Sequence, residues 1–363
     1  RAQKDQNILA EYMANDGISD DFYPWDWLYY SEKRRQKEHE LNEEEVKSYF
    51  SLDQMVEAAF YCANKLFGLS FQPVSLPLYH KDCKAWEVTK NGEKIALFIG
   101  DYFARSSKRS GAWCSAFQSQ AKFPVFQKPI VLNVCNFAKG SPTLLSFDDA
   151  RTLFHEFGHA LHQILSNVTY EPLSGTSVSR DFVELPSQLF EHWLTVPEVL
   201  KRFAVHYKTK SPISEKLMER LIGASNYDMG YQTVEYTSSA LVDLYFHLED
   251  TEKDVMELQN EILSKIGLPE AIKMRHATPH FAHVFSGGYY AAAYYSYMWS
   301  EVMDADAFSA FEELDNPFDA NLAKSLEDNI LSKGNSLDPE IAYKRFRGSL
   351  PKVDALLRGR GLI

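Results

Sequence analysis

The sequence predicts a mainly α chain with a small antiparallel β-sheet placed just before a histidine-bearing helix. Three observations predict it. Charged, helical-looking segments fill residues 1–72, a block at about 85–135 reads as strands and turns, and apolar residues return to helical spacing from residue 147. The expected division is a helical segment over 1–72 and a second region over 73–363. That second region holds the sheet, a pair of helices over 147–200 and a helical C-terminal part.

Taken in order, "RAQKDQNILAEYM" opens inside a helix with no cap and no initiator Met, as part of a longer polypeptide would. The charged run "SEKRRQKEHELNEEEVKSYF" reads as a solvated helix face. In "AWEVTKNGEKIALFIGDYF" two strand-like runs flank Asn91-Gly92, the strongest short hairpin signal. "SGAWCSAFQSQ" and "PIVLNVCNF" add two more strands. Gly-rich loops follow at "PLSGTSVSRD" and "FSGGYY".

At 363 residues, 45% hydrophobic and 24% charged, the chain has an ordinary globular composition with room for two domains or one large one. A net charge of −12 argues against a nucleic-acid partner, which wants a basic face. No run approaches a membrane span, and the N-terminus lacks the layout of a signal peptide. Cys62, Cys83, Cys114 and Cys135 are scattered without a C-x-x-C pair, as reduced thiols of a cytoplasmic protein would be.

The chemistry concentrates in "FDDARTLFHEFGHALHQIL", residues 147–165. Ser146 and Asp149 have the spacing of a capping box, so a helix should begin there. Leu153, Phe157, Ala160, Leu161, Ile164 and Leu165 give it a broad apolar surface. His155 and His159 are four apart, one turn along the same face, so both imidazoles can reach one ion, with Glu156 beside them. With 11 His in the chain, H-E-x-x-H arises by accident in roughly a few per cent of such sequences, and the helical context favours a zinc site. His192, His206 and His247 read instead as core histidines.

A catalytic zinc takes three protein ligands and keeps one position open. His162 lies two turns from His155, too far to share the ion, and Leu165 occupies the place of a later third histidine. Among the downstream carboxylates, Glu171 falls at a loop start and Glu191 further along the next helix. Glu184, between Phe182, Val183 and Leu185, is the best candidate, because a carboxylate in apolar company needs a partner or a metal.

The longer motif "FHEFGHALHQIL…GTSVSRDFVELPSQ" resembles the thimet oligopeptidase family of zinc metallopeptidases, in particular its peptidyl-dipeptidase and oligopeptidase A branch. The likeness continues through "FARSSKRSGAW", "VEYTSSALVD", "GGYYAAAYYSYMWSEV" and "ILSKGNSLDPEIAYKRFRG". It implies a zincin-like catalytic region within a two-lobed helical fold, the zinc helix lying on the floor of a deep channel. Family members are nearly twice as long, which implies a missing N-terminal portion as a partner of this one.

Carried over by motif position, the resemblance makes His155, His159 and Glu184 the ligands of one Zn2+ and Glu156 the catalytic base. It adds a tyrosine donor and a substrate-binding His283. Tyr290, Tyr294, Tyr295 and Tyr297 keep the family spacing, while Tyr289 follows the glycines, so either Tyr289 or Tyr290 faces the zinc. The seven-residue step from Tyr290 to Tyr297, a shared helix face, favours Tyr290. Tyr289, Tyr294 and Gly175 of the "SGTSVS" loop are assigned to substrate binding, and Asp181 to orienting a ligand imidazole. Aromatic core packing is the plainer reading of the tyrosines. The expected function is zinc-dependent release of dipeptides from the C-terminus of short peptides. The alternatives are an endo-acting oligopeptidase and, in another class, a non-catalytic zinc-stabilised peptide-binding module.

Overall fold

Asn91 and Gly92 both adopt left-handed backbone angles, φ 52° and 80°, as a tight two-residue hairpin turn requires. They join β2 (Lys84–Lys90) to β3 (Glu93–Phe103); β1 (Leu69–Val74) pairs with β2, and β4 (Trp113–Gln118) with β5 (Ile130–Phe137). This computed structural model describes residues 1–363 except Ser225, residues 249–252, Tyr289 and the side chain of His39.

The strand order is β1-β2-β3-β5-β4. The sheet is mixed, which corrects the antiparallel expectation: β3 and β5 run parallel, with Phe98 opposite Val131 and Gly100 opposite Asn133. The chain leaves β3, forms β4 as an outer strand, then returns to insert β5 between them. Alternate side chains face opposite sides of the sheet. Ile99, Leu132 and Val134 pack on one side with Cys83 and Ala85. On the other side Phe71 and Phe98 meet Phe60 of the helix Leu52–Phe67 and Phe157 of the histidine helix, with ring centroids 4.0–6.3 Å apart. Phe157 is fully covered; burying such a ring contributes about 1.5–3 kcal/mol, plus roughly 0.5–1.5 kcal/mol for favourable aromatic pairs.

The chain forms two compact units. One comprises residues 43–218 and 300–353 and contains the sheet, the helix Leu52–Phe67 and the histidine helix Phe147–Ile164. The other comprises residues 1–42, 219–299 and 354–363, with the helices Ala2–Asn15, Pro24–His39, Met229–Leu248 and Val255–Lys265. Residues 43–72 thus fall in the unit that holds the sheet. Leu52–Phe67 belongs with the sheet because its apolar face, with Phe60, is seated on β1 and β3.

The histidine helix starts where the capping box predicts: Asp149 N–H donates to Ser146 Oγ, and Ser146 N–H to an Asp149 carboxylate oxygen, both at 3.0 Å. Its second half is pressed against the helix Leu185–Glu191. Gly158 makes this possible, because a Cβ there would stand 2.6 Å from the Pro186 carbonyl oxygen and 2.6 Å from Ser187 Cα. Gly158→Ala should therefore force the two backbones apart, costing about 1–3 kcal/mol of stability. Thermal melts of the metal-free chain will read the loss; an unchanged midpoint would mean that the helices part freely.

Candidate functional site

Asn133, buried on β5, donates from Nδ2 to the Glu156 carbonyl oxygen at 2.7 Å and ties the H-E-x-x-H turn to the sheet. From that anchored turn His155 and His159 project one helical turn apart, their rings 5.0 Å between centroids and nearly perpendicular. Glu184 stands at the N-terminal end of the neighbouring helix Leu185–Glu191. Its Oε2 lies 3.2 Å from His155 Nε2 and 3.0 Å from His159 Nε2. Ser187 Oγ holds it in place, donating to the Glu184 carbonyl at 2.8 Å and to Oε2 at 3.1 Å.

Three donor atoms, each within 4.8 Å of the others, make this the one candidate metal cluster among the described residues. Ligands at the ~2.0–2.1 Å of a tetrahedral site stand about 3.3 Å apart, so the spacing fits a single small cation. The electrostatics agree. Burial alone would raise the Glu184 carboxyl, but the two imidazoles hold it far below the usual carboxylate range. Burial likewise works against a charged His155, yet Glu184 and Glu191 outweigh it and raise its pKa well above the ordinary value. The pocket thus favours positive charge at His155, and a metal would displace the proton that otherwise supplies it.

Glu156 is 5% exposed, and burial raises its carboxyl above the ordinary value. Its Oε2 is buried with no hydrogen-bond partner among the described residues. Buried acceptors are nearly always satisfied, so an orphaned one beside a ligand cluster suits a group that exchanges protons with a bound water or substrate.

The second nitrogen of the His155 ring meets a carboxylate from Glu191, the residue that ends the neighbouring helix. Glu191 Oε1 lies 2.6 Å from His155 Nδ1, while the backbone carbonyl of Asp181 accepts from Ser300 Oγ at 3.0 Å. Glu191 follows Glu184 by seven residues and so shares its helix face, a spacing that marks it in the sequence. Its removal should weaken metal binding by the ~10–100-fold typical of such supporting contacts. Competition with a chromogenic chelator on Glu191→Ala will measure this; parent-like affinity would make Glu191 incidental.

Gly175 has φ 52°, and a Cβ there would lie 2.9 Å from Gln163 Cγ and 3.0 Å from Gln163 Cα. Its N–H donates to Ser166 Oγ at 3.0 Å. It presses its loop onto the end of the histidine helix. His162 is wholly buried, and burial next to His159 lowers its pKa to about 3.

The tyrosine segment lies in the other compact unit. The helix that carries Tyr297 begins only at Ser296, so Tyr290 is not on it, contrary to the shared-face expectation. The two rings nonetheless stack, 6.2 Å apart and 9° from parallel, with their hydroxyls 3.3 Å apart. Tyr297 Oη is 3.4 Å from His283 Nε2, and the His283 ring meets Tyr290 edge-on at 4.4 Å. Tyr294 is buried against Phe281 and Tyr236, which is core packing. The assignment of Tyr289 falls outside the described residues.

Two histidines and a glutamate on paired helices, backed by a buried glutamate and a small mixed sheet, form a candidate metal centre around the H-E-x-x-H motif. Residues 1–362 match Peptidase family M3, and the chain belongs to that family. It is 42% identical to dipeptidyl carboxypeptidase of Escherichia coli over 350 residues, covering 93% of this chain and 51% of that protein. It is 36% identical to oligopeptidase A of Escherichia coli over 369 residues, covering 98% and 53%. The chain spans about half the length of these relatives. A solved structure, BsuCP, matches with a TM-score of 0.51 at 14% identity, over 91% of this chain and 62% of that one, a likeness of fold.

Proposed function

We propose that the chain is the catalytic portion of a zinc metallopeptidase that removes dipeptides from the C-terminus of short peptides. The observation that carries the reading is the convergence of His155, His159 and Glu184 beside the buried Glu156, whose Oε2 has no hydrogen-bond partner among the described residues. Two imidazoles and one carboxylate are a common catalytic zinc set. When bound, zinc lowers the pKa of a water and polarises the scissile carbonyl. Glu156 takes the proton from the attacking water and delivers it to the leaving amine. Glu191 keeps His155 in the tautomer that presents Nε2. A hydroxyl from Tyr290 or Tyr297 donates to the carbonyl oxygen as its charge develops, and His283 helps hold the substrate. The motif resemblance and the clustering of these three side chains support their roles.

The dipeptidase mode is supported by the 42% identity to a dipeptidyl carboxypeptidase. The 36% identity to oligopeptidase A supports an endo-acting alternative. The reading includes a cytoplasmic setting, which four cysteines without a disulfide support, and an N-terminal portion of the same polypeptide as partner. No helix among the described residues is long and apolar enough to cross a membrane.

A matched pair of short peptides, one with a free C-terminus and one amidated, separates the modes. Dipeptides as the sole early product, abolished by amidation, are expected. Internal cuts indifferent to amidation would transfer the assignment to the endo-acting peptidase.

A further inference from the structure

Asp243 is 1% exposed on the helix Met229–Leu248, and neither of its carboxylate oxygens is idle. Oδ1 accepts the Ala292 N–H at 3.0 Å, and Oδ2 accepts the Tyr294 N–H at 2.9 Å. The gripped stretch lies between Tyr290 and Tyr297, and it needs gripping. Ala292 has φ 56°, a left-handed conformation that is strained for a residue with a Cβ unless its surroundings hold it.

The same helix supplies a third tether. Tyr236, seven residues before Asp243 and so on the same face, donates its hydroxyl to the Tyr294 carbonyl and stacks on the Tyr294 ring at 5.2 Å. One turn beyond Asp243, His247 Nδ1 lies 3.0 Å from Asp243 Oδ1 and 2.8 Å from the Asp243 carbonyl. A carboxylate accepting backbone N–H groups makes stronger bonds than a neutral acceptor does. With residues 292–294 fixed in this way, the Tyr290 ring lies parallel to Tyr297 and edge-on to His283.

We propose that Asp243 is a positioning residue: its carboxylate sets the backbone turn that brings the Tyr290 hydroxyl together with Tyr297 and His283. The inference rests on the reading that these tyrosines act in peptide hydrolysis. It makes the helix carrying "VEYTSSALVD" the frame of the tyrosine loop, whereas none of its side chains has been assigned a role in the reaction.

The test pairs amide hydrogen exchange with a double-mutant cycle. In Asp243→Asn, which keeps size and loses one acceptor, peptides covering residues 287–298 should exchange about 10-fold faster or more, while the histidine helix is unchanged. The kcat should fall between ~10- and ~100-fold, as for a misplaced reacting group, with KM within about 3-fold. Combined with Tyr290→Phe, Asp243→Asn should add almost nothing, since both act through one hydroxyl. Unchanged loop exchange, or fully additive losses, would overturn the proposal. Tyr236→Phe removes one tether without touching the buried carboxylate; it should show smaller changes of the same pattern and serves if Asp243→Asn does not fold. If Tyr290→Phe alone leaves kcat intact, Tyr290 is not the donor and the link from Asp243 to kcat fails, while loop exchange still decides whether Asp243 holds the turn.

Discussion

Glu156→Gln is expected to retain metal at the parent stoichiometry and to lose ~10²–10⁴-fold in kcat, the range for loss of a positioned general base. The substitution is nearly isosteric, and Glu156 is not one of the clustered donors, so the ion should stay. What disappears is the proton acceptor, a buried carboxylate whose Oε2 has no hydrogen-bond partner among the described residues. The fold should survive as well, because the contact that anchors this turn is made by the Glu156 backbone carbonyl to Asn133 and is indifferent to the side chain. Metal analysis and steady-state kinetics on one preparation make the comparison clean. Parent-like kcat with full metal would remove Glu156 from the mechanism, and metal loss would mean that it contributes to binding.

Much of this site was legible because the determinants are local. The capping box, the i, i+4 histidines and the apolar stripe all lie within one helix, where a 3.6-residue period converts spacing into geometry. The Asn91-Gly92 hairpin was legible for the same reason: the turn residues themselves dictate the backbone. Long-range pairing was not. Nothing within "PIVLNVCNF" says that it inserts beside β3 in parallel rather than extending the meander, since a strand buried on both faces has no side to choose. Gly158 illustrates a different limit. A helix-interior glycine reads from sequence as a weak point, and only the approach of Pro186 and Ser187 reveals what it permits. Tyr290 and Tyr297 come together as their spacing foretold but for another reason: the segment between them is a turn held by Asp243, not helix.

Glu184→Ala should cost more metal affinity than any other single change outside the two histidines. Altering a residue that merely supports a ligand typically costs ~10–100-fold, and removing a ligand should exceed that range. The geometry leaves no obvious substitute. Glu191 is committed to His155 Nδ1, on the far side of the ring from the Nε2 atom that meets Glu184. Glu171 sits exposed in a short turn after Tyr170, so Glu171→Ala is the matched control and should bind metal like the parent. Without metal the variant also leaves His155 facing a cavity that has lost its Glu184 carboxylate, and its tendency to carry a proton should fall. Metal uptake by Glu184→Ala should consequently release fewer protons than uptake by the parent, which calorimetry in buffers of different ionisation enthalpy can count. Parent-like affinity together with parent-like proton release would show that the third ligand is some other group, and the pairing of the two helices across Gly158 would then need a different explanation.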